Sequence, residues 1–380
     1  MPDLYQAAPD MDFLRFLKKS GGDTLKKCYQ CAACSIVCNL SPSEKPFPRK
    51  EMMWAQWGFK DKLIGDPDIW LCHQCNDCSV QCPREARPGD VLAALRQFVF
   101  QHFAFPSFMG KALSNPAALP WLLFVPALIM LLIMFAYSAD DLSYIFHLKG
   151  EVEYARIFPH GILEILFMGG NIMIFAFAAV GLIKFWNSLK NAHPGTNGKG
   201  FIPSLIDTVI ELIPHNKFSK CVESKQRYFG HLLIFYGFIG AMATAGFALF
   251  FTQIVPILES PIDLANPIKI LGGLSGIAIF IGGIALITYR SAHKKSVGVG
   301  GYSDWLFLNV IFAVGISGML TWILRVAGIP LIAYIIYFIH LTLVFFLLWY
   351  APYSKFAHMF YRTLALVYAK SVGRDKPRNG

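Results

Sequence analysis

Charge is scarce in this sequence. Of its 380 residues only 15% are Asp, Glu, Lys or Arg, whereas 55% are hydrophobic. This composition excludes a single soluble globule, since such domains carry roughly 25% charged residues. Cysteine is almost absent outside one stretch, because eight of the nine cysteines lie between Cys28 and Cys82 and only Cys221 lies elsewhere. The two scarcities divide the chain into a cysteine-bearing part and an apolar part.

The cysteines repeat one spacing twice. Each copy reads C-x2-C-x2-C-x3-C, first at Cys28, Cys31, Cys34 and Cys38, then at Cys72, Cys75, Cys78 and Cys82. In this pattern three thiolates of one loop bind one cubane, and the fourth thiolate binds the cluster of the other copy. The sequence therefore predicts two [4Fe–4S] clusters with crossed ligands. One is assigned to Cys28, Cys31, Cys34 and Cys82, and the other to Cys72, Cys75, Cys78 and Cys38.

Disulfides and zinc are the alternatives to clusters. Disulfides need an oxidising compartment, and no secretory signal precedes Cys28. Zinc sites use two CxxC pairs without this third and fourth cysteine. The 33 residues between Cys38 and Cys72 include a helix-like run over 49–59. We therefore expect a helical ferredoxin-like domain over 1–105.

Six apolar stretches are long enough to cross a bilayer, which takes ~20 residues. They are predicted at about 119–138, 157–186, 230–256, 268–290, 305–328 and 331–353. The preceding aromatic stretch, 106–118, is expected to be an interfacial linker, with a plain flexible linker as the alternative. The apolar part, 119–365, is thus predicted to form a bundle of six transmembrane helices.

The distribution of basic residues predicts the orientation of this bundle. The connections 187–229 and 291–304 and the segment from 354 onward carry 16 Lys and Arg with their flanks, against four in the remaining connections. Because cytoplasmic connections are enriched in Lys and Arg, the cysteine-bearing part and both termini are expected in the cytoplasm. The protein is accordingly predicted to be a multi-pass protein of the inner (cytoplasmic) membrane, with a basic tail over 366–380.

Two histidines near the end of the chain are candidate ligands of haem. Ionisable residues within spans are costly and mark functional positions. His340 lies within the sixth span, and His358 follows 18 residues later. An unbroken helix would present both rings on one face, ~27 Å apart. Pro352 lies between them and would loosen this estimate through a kink.

Each of these histidines needs a partner from another helix. His231 opens the third span at the inner end and suits His358. His160 opens the second span at the outer end and suits His340, with His147 as the second choice. The alternative for these histidines is an interfacial or loop position without a ligand. The pattern predicts two stacked b haems.

One carboxylate lies near the outer end of the second span. Glu164 follows His160 by one helical turn. It is a candidate for handling the protons of a quinone. It could equally hold a haem ligand in place or pair with Arg156 or Arg325.

The chain resembles a known arrangement of redox subunits. Residues 1–110 resemble the small iron–sulfur subunit of heterodisulfide reductase, and 150–365 resemble the membrane haem-b subunit of that enzyme and of respiratory nitrate reductase. The fusion, with one further span at 119–138, is similar to the C subunits of the quinone-interacting membrane-bound oxidoreductase (Qmo) complexes of sulfate reducers. The resemblance implies an all-α fold, in which a helical two-cluster ferredoxin domain precedes a six-helix haem-b bundle.

The resemblance also implies cofactors and partners. The cofactors would be two [4Fe–4S] clusters and two b haems, with menaquinone as substrate. The partners would be cytoplasmic flavin and iron–sulfur subunits that link the menaquinone pool to adenylylsulfate reductase. In the nitrate-reductase pattern His231, His340 and His358 match haem ligands, but the fourth ligand falls at Ala241. Either His160 substitutes for it, or the outer haem is absent or differently ligated.

The expected function is therefore electron transfer between quinone, the b haems and the two clusters, and no nucleic-acid partner is expected. One alternative is the membrane anchor of a heterodisulfide-reductase-like complex, although the sequence lacks the paired adjacent cysteines of that chemistry. An alternative of another class is a haem-free anchor or a transporter regulated by a ferredoxin domain. The direction of electron flow is not set by the sequence.

Overall fold

The computed structural model describes residues 8–195, 198–215, 225–259, 262–293 and 300–374, so Cys221 lies outside the described residues. Within these ranges the chain is helical and has no β-strand, which confirms the all-α prediction. The cysteine-bearing part contains α1 (Met11–Lys19), α2 (Ala33–Ile36), α3 (Arg49–Gln56), α4 (Lys60–Ile64), α5 (Asp68–Leu71), α6 (Asp77–Val80) and α7 (Pro88–Phe103).

The apolar part begins after a short connecting helix. The elements in order are α8 (Ser107–Leu113), α9 (Leu119–Tyr137), α10 (Tyr154–Ile157), α11 (His160–Glu164), α12 (Gly170–Ala192), α13 (Phe201–Leu212), α14 (Lys225–Leu249), α15 (Pro267–Ala292), α16 (Tyr302–Val326), α17 (Pro330–Trp349) and α18 (Ala357–Ser371). Short 3-10 helices lie at Leu25–Lys27, Pro116–Ala118, Ala139–Phe146 and Ala351–Tyr353, and π-helical turns lie at Ile165–Gly169 and Phe250–Ile254. The predicted linker over 106–118 is thus mostly helical.

Six helical stretches of the described chain are long and apolar enough to cross a membrane, as predicted. They are Pro116–Tyr137, His160–Ala192, Gln226–Ile254, Pro267–Ala292, Tyr302–Val326 and Pro330–Trp349. The third and fourth stretches pack closely because small residues line their contact. A Cβ at Gly282 would lie 2.8 Å from the carbonyl oxygen of Gly230, so the two backbones approach each other directly.

The sixth span ends earlier than expected. Helix α17 stops at Trp349, a 3-10 turn containing Pro352 follows, and α18 starts a new direction at Ala357. Proline cannot supply the N–H that an uninterrupted helix would need. The hydroxyl of Tyr353 donates to the carbonyl oxygen of Phe105 over 2.8 Å, which fixes the break against the connection before α8. The expectation that one continuous helix carries both His340 and His358 is therefore wrong.

The cysteine-bearing part and the inner ends of the bundle share one hydrophobic core. Trp70 of α5 is fully buried and stacks on Tyr361 of α18 with ring centroids 5.9 Å apart. Phe185 of α12 approaches the same tryptophan at 5.8 Å. Residues 366–371 belong to α18, and Leu366 is buried in this core, so this stretch is not part of a free basic tail. The shared core holds the cysteine loops at a fixed place on the bundle.

A buried group of charges, which we call the Lys50 cluster, lies beside this core. The Lys50 ammonium is 3.1 Å from Glu51, 3.0 Å from Asp66 and 2.7 Å from Asp68, and all three carboxylates are fully buried. Arg374, beyond the end of α18, donates to Asp68 over 2.7 Å. The cluster therefore ties the C-terminal helix to the cysteine-bearing part.

Candidate functional site

The eight cysteines gather into two groups, and each group draws on both motifs. A cavity is lined by three cysteines of the second motif and the last one of the first: Cys72, Cys75, Cys78 and Cys38. The remaining four also lie close enough together to influence one another, with Cys82 acting on Cys28 and Cys34. The structure thus groups Cys38 with Cys72, Cys75 and Cys78, and Cys82 with Cys28 and Cys34. That each group binds one cluster stays a prediction.

The two cysteine loops have the same backbone conformation. On either side of the middle cysteine a residue takes a left-handed conformation, at φ 62° for Gln30 and 66° for Ala32, and at 54° for Gln74 and 69° for Asn76. This conformation turns backbone N–H groups inward. The N–H of Gln30 lies 3.4 Å from the sulfur of Cys28, and that of Gln74 lies 3.2 Å from Cys72. Such donors stabilise negative charge on the sulfurs.

The thiols are unfavourable sites for negative charge unless a cation is present. Burial, together with the neighbouring Cys28, raises the pKa of the Cys34 thiol to about 11. Burial and the proximity of Cys72 raise the pKa of the Cys38 thiol to about 12. Four crowded thiols, some of them buried, favour binding of a metal group, because metal coordination deprotonates a thiol outright.

Two of the predicted haem ligands lie near each other at the end of the bundle that contacts the cysteine loops. His231 of α14 lies within electrostatic range of four titratable or charged side chains, namely His358, His215, Arg227 and Arg362. The Nδ1 of His358 is hydrogen-bonded to the carbonyl oxygen of Lys355, which leaves Nε2 as its potential ligand atom. Burial lowers the pKa of His358 to about 4, so its ring is neutral at physiological pH, the form that ligates metals.

Two arginines connect this histidine pair to the second cysteine loop. The Arg362 guanidinium donates to the carbonyl oxygen of Cys72 over 3.1 Å. Arg227 donates to the carbonyl oxygen of Gln74. Since both arginines also act on His231, the loop around the Cys38 and Cys72 group lies directly beside the histidine pair. Both of these hydrogen bonds go to the second cysteine loop and neither goes to the first.

The outer histidines are not brought together in the same way. The Nδ1 of His340 lies 3.0 Å from the hydroxyl of Ser317 on α16, and a Cβ at Gly318 would lie 3.0 Å from the ring. His160 is exposed at the start of α11. The structure thus pairs His340 with α16 and leaves His160 on the outer face of the bundle.

The remaining outer candidates occupy separate positions. His147 is exposed, and its carbonyl oxygen accepts a hydrogen bond from the N–H of Leu331 at the start of α17. Leu331 lies nine residues before His340, which is ~14 Å along the helix. Ala241 packs in an apolar cluster. Glu164 is half-buried and directly precedes the π-helical turn Ile165–Gly169, a feature common at functional sites. Arg156 pairs with Glu153 instead of with Glu164, which was one of the alternatives for that carboxylate.

Residues 24–86 match the family of 4Fe-4S dicluster domains. The same part of the chain is similar to the C subunit of the H(2):CoB-CoM heterodisulfide,ferredoxin reductase of Methanothermobacter marburgensis, at 37% identity over 90 residues, which are 23% of this chain and 47% of that protein. It is also similar to a protein of Archaeoglobus profundus that is named as like the C subunit of heterodisulfide reductase, at 34% identity over 26% of this chain and 53% of that protein. The chain thus spans about half the length of these relatives.

A third relative covers both parts of the chain. Citrate utilization protein B of Escherichia coli is 25% identical over 90% of this chain and 89% of its own length. No solved structure matches the chain. The dicluster domain supports two [4Fe–4S] clusters and an iron–sulfur electron-transfer function similar to that of the C subunit of heterodisulfide reductase. The chain combines this domain with six apolar helices of a multi-pass membrane protein.

Sequence analysis missed three residues of the inner site. His215 has its ring centroid 5.1 Å from that of His231, although its position in a predicted connection is typical of a surface residue. Arg227 lies four residues before His231, and Arg362 lies four residues after His358. A spacing of four places each arginine one helical turn from its histidine. This repeated His/Arg spacing was the available signal, whereas nothing in the local sequence indicated His215.

Proposed function

We propose that this protein is a membrane electron-transfer subunit that exchanges electrons between menaquinone, two b haems and two [4Fe–4S] clusters. The observation that carries the proposal is the pair of arginines that contact the second cysteine loop and lie beside His231 and His358. A dicluster domain whose second site adjoins a half-buried pair of imidazoles from two helices is suited to passing electrons into or out of the membrane. These cofactors supply one-electron redox chemistry, and the protein positions them.

The crossed cysteine sets would hold the clusters. Cys28, Cys31, Cys34 and Cys82 would hold the distal cluster, and Cys38, Cys72, Cys75 and Cys78 the proximal one. The cavity between the last four cysteines and the matching loop conformations support this assignment. Replacing Cys82 by Ser should alter the paramagnetic resonance signal of the distal cluster alone. A change confined to the other signal would reverse the crossed assignment.

His231 and His358 would hold the inner haem. The site offers two imidazoles from separate helices, and the positive charges of Arg227 and Arg362 complement the propionate carboxylates of a haem. His340 would hold the outer haem, because its Nδ1 bonds to Ser317 and leaves Nε2 as the ligand atom, while the ring is seated against Gly318. His160 is proposed as its second ligand, with His147 as the alternative.

Redox-titrated optical spectra of single variants test the histidines. His231→Ala and His358→Ala should remove the same haem, because each deletes one axial ligand of it. His340→Ala should remove the other haem and block reduction by a menaquinol analogue, while the first haem stays reducible through the clusters. If His160→Ala keeps both haems at unchanged potentials, His160 is not a ligand. A wild-type protein without any haem-b spectrum would refute the electron-conduit proposal and favour a haem-free anchor.

Menaquinone is proposed to react near the outer haem, with Glu164 as the residue that handles its protons. Glu164→Gln should then slow menaquinol oxidation and shift its pH profile without removing a haem. The dicluster domain and both termini are proposed to lie in the cytoplasm, with the protein in the inner membrane. A reporter fused after residue 380 should therefore be cytoplasmic, and a periplasmic reporter would overturn the topology.

The proposed partners are cytoplasmic flavin and iron–sulfur subunits of the same complex, which would serve adenylylsulfate reductase. A second candidate for the metabolic role of the protein has support from the relative that covers both parts of the chain. The name of that relative concerns citrate utilization. In that case the electrons would come from oxidation of an organic acid. Deleting the gene should abolish growth on sulfate under the first assignment and growth on citrate under the second. The anchor of a heterodisulfide-reductase-like complex remains the alternative within the same class.

A further inference from the structure

The proposed distal cluster has an unusual surface around it. Each of its four cysteines lies within two residues of an exposed apolar side chain. These neighbours are Tyr29 beside Cys28, Ile36 after Cys34 and Val80 before Cys82, and they are 69%, 70% and 51% exposed. Cys31, two residues after Tyr29, is itself exposed. We call this surface the distal face.

The proximal cysteine group is more enclosed. Its cavity is walled by the buried residues Phe47 and Leu92, and Cys72 and Cys78 are buried as well. Arg227 and Arg362 of the bundle contact the proximal loop. In the distal face, Ile36 and Val80 lie on α2 and α6, which pack against each other. Exposed apolar side chains grouped in this way mark an interaction site.

The charged side chains on the distal face are mostly basic. On 26–36 and 80–85, together with Arg49, the exposed charged residues are Lys26, Lys27, Arg49, Arg84 and Glu85. The Arg84 guanidinium stacks over the Tyr29 ring at 4.1 Å and donates to its hydroxyl over 3.0 Å. Arg49 donates to the carbonyl oxygen of Gln30 over 3.0 Å. Both arginines are thus fixed at the margin of the apolar residues, where they would attract an acidic surface.

We propose that the distal face docks a soluble redox subunit that presents an acidic rim around its own flavin or iron–sulfur cofactor. The inference rests on the proposed function, because it takes the distal cysteines to hold a cluster. An exposed cysteine ligand brings that cluster to the surface. The apolar residues supply a dry centre for the contact, and the basic margin sets its orientation. Electrons would then leave or enter the chain at Cys31.

The test uses the full chain, purified with a tag from its native membrane. Ile36→Asp and Val80→Asp each place a negative charge in the apolar centre of the distal face. We expect each to lower the ratio of co-purifying flavin to haem at least about tenfold, because like charges facing each other are repelled and the apolar contact is lost. Met11→Asp is the matched control, since Met11 is 61% exposed on α1 and lies outside the distal face. Its ratio should equal that of the wild type.

Two further measurements separate the possible outcomes. Oxidation of the reduced clusters by ferricyanide needs no docking surface and should be the same in all variants. A photo-cross-linker at Tyr29 should capture a protein that carries flavin or an iron–sulfur cluster. Capture of lipid or of a second copy of this chain, or an unchanged flavin-to-haem ratio in both aspartate variants, would overturn the docking proposal. Absence of haem or clusters in the wild type would instead refute the proposed function.

Discussion

Replacing Lys50 by Met removes the cation at the centre of the Lys50 cluster while keeping most of the side-chain volume. In the wild type the ammonium contacts three fully buried carboxylates. Two of these carboxylates have a second basic neighbour, which is Arg374 for Asp68 and His193 for Asp66. After the substitution these carboxylates would stay in a medium of low dielectric with one counter-charge fewer. Breaking such a pair costs about 3–5 kcal/mol.

The pH dependence of this loss follows from the carboxylates. Burial raises the pKa of Glu51 and of Asp66 above their ordinary values. A carboxyl group whose pKa is higher in the folded state binds protons preferentially in that state. Its cost to stability is therefore greatest above the folded pKa and disappears as the pH falls towards the unfolded value of about 4.3. Relative to the wild type, the Lys50→Met variant should lose most stability at pH 8 and recover part of it near pH 5.5.

Heating the detergent-solubilised protein while following the iron–sulfur absorbance measures this loss. At pH 8 we expect Lys50→Met to lower the midpoint by about 10 °C. Lys18→Met, which removes an exposed lysine of α1, should leave it nearly unchanged. Adding Glu51→Gln to Lys50→Met should raise the unfolding midpoint most of the way back to that of the wild type, because it removes one of the buried carboxylates. Equal midpoints for Lys50→Met and the wild type would refute the idea that this cation holds the cluster together.

Three backbone positions give further predictions. Ala32→Val should cost about 1–2 kcal/mol and speed cluster loss on dilution into chelator, because a β-branched residue is poorly tolerated at φ 66°. Gly89→Ala should release iron from the proximal site faster, since its Cβ would lie 1.9 Å from the Asn76 side chain; unchanged release rates would show that the loop adapts. Gly318→Leu should displace the His340 ring and remove the outer haem spectrum while leaving the inner one.

The sequence predicted the features that depend on local spacing. The crossed cysteine sets could be foreseen because the motif fixes which thiolates one loop can direct to one cluster. The six spans could be foreseen because bilayer thickness requires long apolar runs. The end of α17 at Trp349 was less predictable, since a proline either kinks or ends a helix depending on whether other groups satisfy the freed backbone. Here the helix ends, and the Tyr353 hydroxyl holds the turn that follows it by donating to the carbonyl oxygen of Phe105.

Features that depend on tertiary packing could not be predicted. The Lys50 cluster joins residues far apart in sequence, from Lys50 to Arg374, and each of them alone resembles an ordinary surface charge. The approach of His215 to His231 depends on how the segment after α13 returns to the bundle. The pairing of His340 with Ser317 depends on the contact of two spans whose apolar faces contain few distinguishing residues.

The break after α17 has a functional consequence for the inner site. Because α18 starts anew at Ala357, His358 is positioned by its own helix and by its hydrogen bond to Lys355, and not by the depth of His340. The same helix places Arg362 one turn after His358, against the carbonyl oxygen of Cys72. The break thus allows one short helix to carry both the proposed inner ligand and the arginine that connects it to the proximal cysteine loop.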